Sequence, residues 1–182
     1  MPLTLTRSLL TILVPGIIAT APWFLFLAQL KIALEIPSNL VVQSAVCFAV
    51  VAIVGSVFEG LGSVIESYWD RSALEDMAVQ HNWEVYLCSQ LSPEPVGYSY
   101  LTKLVTSLYF ELAMIFAAPC FGLGVGAVAW RLKPEFGCIA AVTALLFAAV
   151  TAVYFKWQAY NTHKVLCKTR QFMNSRLKLI QT

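Results

Sequence analysis

Charge is what this chain has least of. Only 12% of its 182 residues are charged and 59% are hydrophobic, with a mean hydropathy of +0.72. Soluble domains run at about 45–50% apolar and about 25% charged, so this balance belongs to the membrane class. It leaves no room within these residues for a separate soluble catalytic domain. The net charge of +2 is too small for direct nucleic-acid binding to be expected.

Histidine is almost missing, with His81 and His163 alone. Neither lies in an HExxH or paired ExxH motif, and the HxxE of His81 and Glu84 recurs by chance. A carboxylate–histidine site would have to be assembled from several elements. The five cysteines (Cys47, Cys88, Cys120, Cys138, Cys167) form no CxxC pair and have no regular spacing. That excludes a sequence-encoded disulfide framework or zinc knuckle, and they are expected to act as small, reduced, buried apolar residues. A P-loop, a dinucleotide fingerprint and a serine-nucleophile motif are absent too, as are internal repeats and low-complexity segments. No metal, cofactor or catalysis is expected from motifs.

What the chain does have is four stretches without a charge: 8–30, 36–58, 112–130 and 136–155. Each is long enough, at about 1.5 Å per residue, to cross a hydrocarbon core of about 30 Å. Lipid offers the backbone no partners, so the spans must be helices, and no alternating ten-residue strand pattern appears. The expected fold is an all-α, single-domain membrane protein. Its four spans fall near 8–30, 39–66, 103–130 and 136–156, with a middle segment at 70–102 and a tail at 157–182.

The first span superficially resembles a signal peptide, with Arg7 before the apolar run and Ala19-Thr20-Ala21 after it. Pro22 follows that triplet directly and the apolar run continues through Trp23-Phe24-Leu25-Phe26, so the segment is expected to be retained. Pro15-Gly16 and Pro22 should kink or break it locally, and Pro119 should bend the third span.

Nine Lys and Arg residues flank one side of the spans and three flank the other. The positive-inside rule then puts both termini and the middle segment in the cytoplasm of an inner-membrane protein. In that segment Ser72-Ala73-Leu74-Glu75 matches a capping box, which predicts a short cytoplasmic helix ending before Pro93-Glu94-Pro95. The tail reads as a basic amphipathic helix. Leu166, Met173, Leu177 and Ile180 share one stripe, and Lys164, Lys168, Arg170, Arg176 and Lys178 supply the charge for headgroups or a partner.

Gly55, Glu59, Gly62, Glu66 and Asp70 are spaced by three or four residues, one stripe of small and acidic side chains on the second span. An unpaired charge at the bilayer centre costs about 2.5–3.5 kcal/mol on the insertion scale, so this stripe should face protein or water. Glu111 on the third span and Lys156 on the fourth fall at comparable depth. A polar cluster of Glu59, Glu66, Glu111 and Lys156 is predicted, with Tyr68, Tyr109 and His163 as neighbours. Ala118, Gly122 and Gly126 form a small-xxx-small face for helix packing or oligomerisation, and Ala140, Ala144, Ala148 and Ala152 form a second.

These features lead to one expectation and two rivals. The expectation is a non-catalytic, homo-oligomeric, pore-like or scaffold subunit. It would couple a cytoplasmic protein partner, through the middle segment and basic tail, to the bilayer. Subunits of this size can link a soluble sensor to membrane permeability, in bacterial defence for instance, a context set by size and architecture alone. The rivals are a proton- or cation-coupled transporter or channel using Glu59 and Glu111, and an intramembrane enzyme.

Overall fold

The computed structural model describes the backbone of residues 9–29, 40–77 and 96–181. A π-helical turn, Leu9–Leu13, leads into α1 (Val14–Gln29). Then come α2 (Leu40–Met77), α3 (Val96–Leu132), a 3-10 turn at Pro134–Phe136 and α4 (Gly137–Gln181). Each α-helix contains an apolar window long enough to cross a membrane, and no strand occurs among the described residues.

The helices run up-down-up-down around α3, which touches the other three. Leu108, Leu112, Ala113 and Ala117 of α3 are fully buried, whereas the residues of α2 from 40 to 50 are all exposed. In the upper half, contact depends on small residues. A Cβ on Gly16 would strike the Val51 carbonyl, and one on Gly55 would strike the Ile12 carbonyl, so α1 and α2 cross backbone to backbone. A Cβ on Gly126 would meet Ala144, and one on Gly122 would lie 2.6 Å from the Phe147 ring. The small face of α3 thus packs within the chain, against the alanine ladder of α4, and Ala118 is buried beside Ala19 and Met114.

The prolines leave the helices unbroken: α1 runs through Pro22 and α3 through Pro119. The irregular turn lies just before Pro15, at Leu9–Leu13. Pro15 has no N–H for the Thr11 carbonyl, and π-type bonding lets the next amide serve instead. A second departure from expectation is at Ser72. α2 continues to Met77, so Ser72 is a helix-interior residue whose hydroxyl donates to the Trp69 carbonyl at 3.0 Å. The capping-box pattern is overridden because Trp69 of the preceding turn is anchored in the core below. The short helix expected after it lies outside the described residues. α3 begins at Val96, directly after the proline cluster.

Helix length exceeds bilayer thickness. Twenty residues back from Arg131 on α3 is Glu111, and twenty beyond Gly137 on α4 is Trp157, about 30 Å in each case. Exposed Trp130 and Phe136 mark one edge of such a layer, and exposed Trp157 and Tyr160 mark the other, as an aromatic belt would. Beyond the second edge α2, α3 and α4 continue as a three-helix bundle. Its core is Trp69, Leu101, Leu108, Leu166 and Ala159, with Met173 packed against it.

Candidate functional site: a polar junction of three helices

Neighbouring helices run antiparallel, so side chains far apart in sequence meet at one level. Gly62 of α2 lies against Leu112 of α3, and Gln158 of α4 reaches Glu111. Asp70 is eight residues past Gly62, about 12 Å along α2, and His163 is six past Trp157, about 9 Å along α4. Both therefore lie just outside a 30 Å layer, where water and headgroups reach.

At that level His163 Nε2 stands 2.7 Å from Asp70 Oδ1, an ion pair when the imidazole is protonated. The Cys167 thiol, one turn on from His163, lies 3.8 Å from the same nitrogen. His163 and Cys167 are buried, while the Asp70 side chain is 38% exposed and opens the junction to one side. Trp69 walls the imidazole at a ring-centroid distance of 5.7 Å and also packs edge-on against Tyr160. One turn before Asp70, Glu66 accepts a hydrogen bond from Tyr109, with Asp70, His163 and Arg170 within electrostatic reach. Arg170 is 9% exposed and so belongs to this interior.

The four residues expected to cluster are placed differently. Glu111 is buried, and its Oε1 accepts from Ser107 at 3.0 Å and Gln158 at 2.9 Å. Its Oε2 is buried with no protein partner among the described residues. Glu66 belongs to the junction above, with Tyr109 as its neighbour. Glu59 is half-buried, three residues or about 4.5 Å deeper than Gly62, and no hydrogen bond to it is found among the described residues. Lys156 is exposed, and no ion pair joins it to the three carboxylates among the described residues. Its long stem lets the ammonium reach headgroup water from the layer edge, so it needs no buried acid.

Of the basic tail residues, Lys164 and Lys168 are exposed, and Lys164 sits 4.4 Å over the Tyr160 ring. Arg170 departs from that set because it falls on the face of α4 that carries His163, Leu166 and Cys167. The side chains of Arg176 and Lys178 lie outside the described residues. Reading the sequence gave Asp70 its stripe and His163 its place near the acids, but missed Cys167. The available signal was the i, i+4 spacing of His163 and Cys167 on a helix, which puts both on one face.

Compared with protein-family models, curated proteins and solved structures, the chain matches none, so its own side chains are the ground for any functional reading.

Proposed function

We propose that this is a non-catalytic, multi-pass membrane scaffold subunit that self-associates and presents its juxtamembrane bundle to a protein partner. The observation that supports this most is continuity. Three of the four spanning helices run without a break into a bundle that has its own buried core. Force or displacement applied at that end is transmitted along rigid helices into the bilayer. The excess of Lys and Arg on that side of the spans supports a cytoplasmic location for that end, at an inner membrane. Self-association draws support from α2 and α4, of whose apolar windows only 11% is buried within the chain, against 44% for α3.

The test is the mass of the particle in nanodiscs after extraction from native membranes, together with the identity of what co-purifies. A defined multimer carrying a stoichiometric soluble protein is the expected result. A bare monomer would sink the scaffold reading.

One observation favours a second reading, a proton or cation path. Glu111 keeps a buried carboxylate oxygen without a protein partner among the described residues, at the edge of the layer, and Glu59 stands half-buried deeper in. Intramembrane carboxylates commonly mark such paths. Ion flux in liposomes decides it: loss in both Glu59→Gln and Glu111→Gln, with particle mass unchanged, transfers the function to conduction.

A further inference from the structure

We propose that Asp70, His163 and Cys167 bind a divalent transition-metal ion of the zinc class at the junction of α2 and α4. The ligand atoms of all three lie within 4.8 Å of one another. They come from two helices held in register by Trp69, Leu108 and Leu166, so the constellation rests on rigid elements.

The geometry around one atom carries the argument. His163 Nε2 faces Asp70 Oδ1 at 2.7 Å and Cys167 Sγ at 3.8 Å. A proton on Nε2 gives one well-aligned hydrogen bond, which at 2.7 Å goes to Asp70, and leaves the Cys167 sulfur at 3.8 Å with a weak contact only. A metal ion between the three serves all of them at once. Zinc bonds of about 2.0 Å to nitrogen and about 2.3 Å to sulfur at a tetrahedral angle put those two ligands about 3.5 Å apart. The sulfur–nitrogen separation already fits. Asp70 is closer to His163 than a shared ion allows and must withdraw by under about 1 Å. It is the most exposed of the three, so that withdrawal is the least hindered.

The donor set selects the ion. One carboxylate, one imidazole and one thiolate suit a borderline-soft cation, whereas calcium and magnesium take oxygen ligands. The aspartate and the thiolate together neutralise a divalent charge, while Glu66 lies within electrostatic reach of Arg170. Three protein ligands leave a coordination position for water, on the side that Asp70 opens. Trp69 against the imidazole fixes the ring plane from behind. The position just outside the hydrocarbon layer gives the ion an aqueous route.

Cobalt(II) titration of the full chain in nanodiscs tests this, because a cobalt–thiolate bond gives a charge-transfer band and a tetrahedral site gives strong visible bands. One equivalent per chain is expected, displaced by zinc. A chain with Cys47, Cys88, Cys120 and Cys138 replaced by serine should keep both signals, since Cys167 remains. Cys167→Ser should abolish the charge-transfer band, and His163→Ala should weaken binding by more than about 100-fold, the upper range for losing a mere supporting contact. Helicity and particle mass are recorded for every variant. If the folded wild-type chain gives no thiolate band, the proposal falls without reference to any variant. It falls equally if the band survives Cys167→Ser or vanishes in the four-serine chain. Particle mass serves only as a control for folding and the cobalt bands alone decide the outcome, so its failure is separable from failure of the scaffold reading.

Discussion

The two ends of this molecule are held together by different physics. In the upper half α1, α2, α3 and α4 meet through Gly16, Gly55, Gly122, Gly126 and Ala144, and large side chains such as Ile53, Leu145 and Val150 point outward. In the juxtamembrane half the order is reversed. Trp69, Leu101 and Leu166 are inside, and Lys164 and Lys168 are outside. Lipid tails are as apolar as leucine, so burying leucine between helices in lipid gains little, and close backbone approach has to supply the packing. Beyond the layer water returns, and burial of apolar area again drives association. One chain therefore uses two packing rules, and the boundary between them falls near Glu111 and Trp157.

The sharpest way to break that comparison is to truncate the juxtamembrane core. Trp69→Ala removes a side chain that touches the α3 and α4 packing and the His163 ring. We expect a loss of about 3–5 kcal/mol, the usual cost of deleting a large buried aromatic. SDS-induced unfolding followed by circular dichroism measures it. A loss under about 1 kcal/mol would mean that this half has no aqueous-type core.

The matching blow to the upper half adds atoms. Gly55→Ala places a methyl against the Ile12 backbone, where no flexible side chain can yield, while Gly60→Ala meets nothing within 4 Å. We expect the first to cost about 3 kcal/mol, at the upper end of overpacking, and the second to lie within about 0.5 kcal/mol of neutral. Equal effects from the two would remove the case for a backbone-to-backbone crossing of α1 and α2.

At the boundary itself, Glu111→Leu strips the acceptor from the half-buried Ser107 and Gln158. A loss of about 1 kcal/mol, the usual net worth of lost hydrogen bonds, is expected for these half-buried groups. Glu111→Gln keeps an acceptor and should recover most of it in the same unfolding assay. If Gln is as damaging as Leu, the negative charge itself matters to the fold.

Much of the fold was legible because the dominant constraint is local: about twenty apolar residues in lipid can be nothing but a helix. The start of α4, expected at 136 and found at Gly137, and the end of the third span, expected at 130 with α3 ending at Leu132, could be read directly. What escaped reading was tertiary. Ser72-Ala73-Leu74-Glu75 carries every local mark of a helix start, yet Trp69 in the core below carries α2 straight through it. Arg170 looked like one more tail cation, and only the phase of α4 against α3 turns it inward. Depth alone put Lys156 beside the acids, but it is exposed, a matter of rotation about the helix axis that composition does not encode. The same phase brings Cys167 to His163 and Asp70, an encounter between helices more than ninety residues apart in sequence.

The smallest expected effect is also the one that separates lipid from protein at the outer face of α4. Leu145 is 60% exposed and touches lipid if the subunit stands alone. Leu145→Ala then exchanges one lipid contact for another, and the unfolding free energy should stay within about 0.5 kcal/mol of wild type. Leu166→Ala on the same helix should cost about 2–5 kcal/mol, because Leu166 is fully sheltered in the aqueous half. The contrast within one helix separates an outward-facing leucine from a sheltered one without changing the residue type. Particle mass in nanodiscs adds a second readout. If a neighbouring copy covers this face, Leu145→Ala leaves the fold of each chain intact but shifts the particle toward smaller assemblies. Unchanged mass with unchanged stability would assign the outer face of α4 to lipid and leave α2 as the surface through which copies meet.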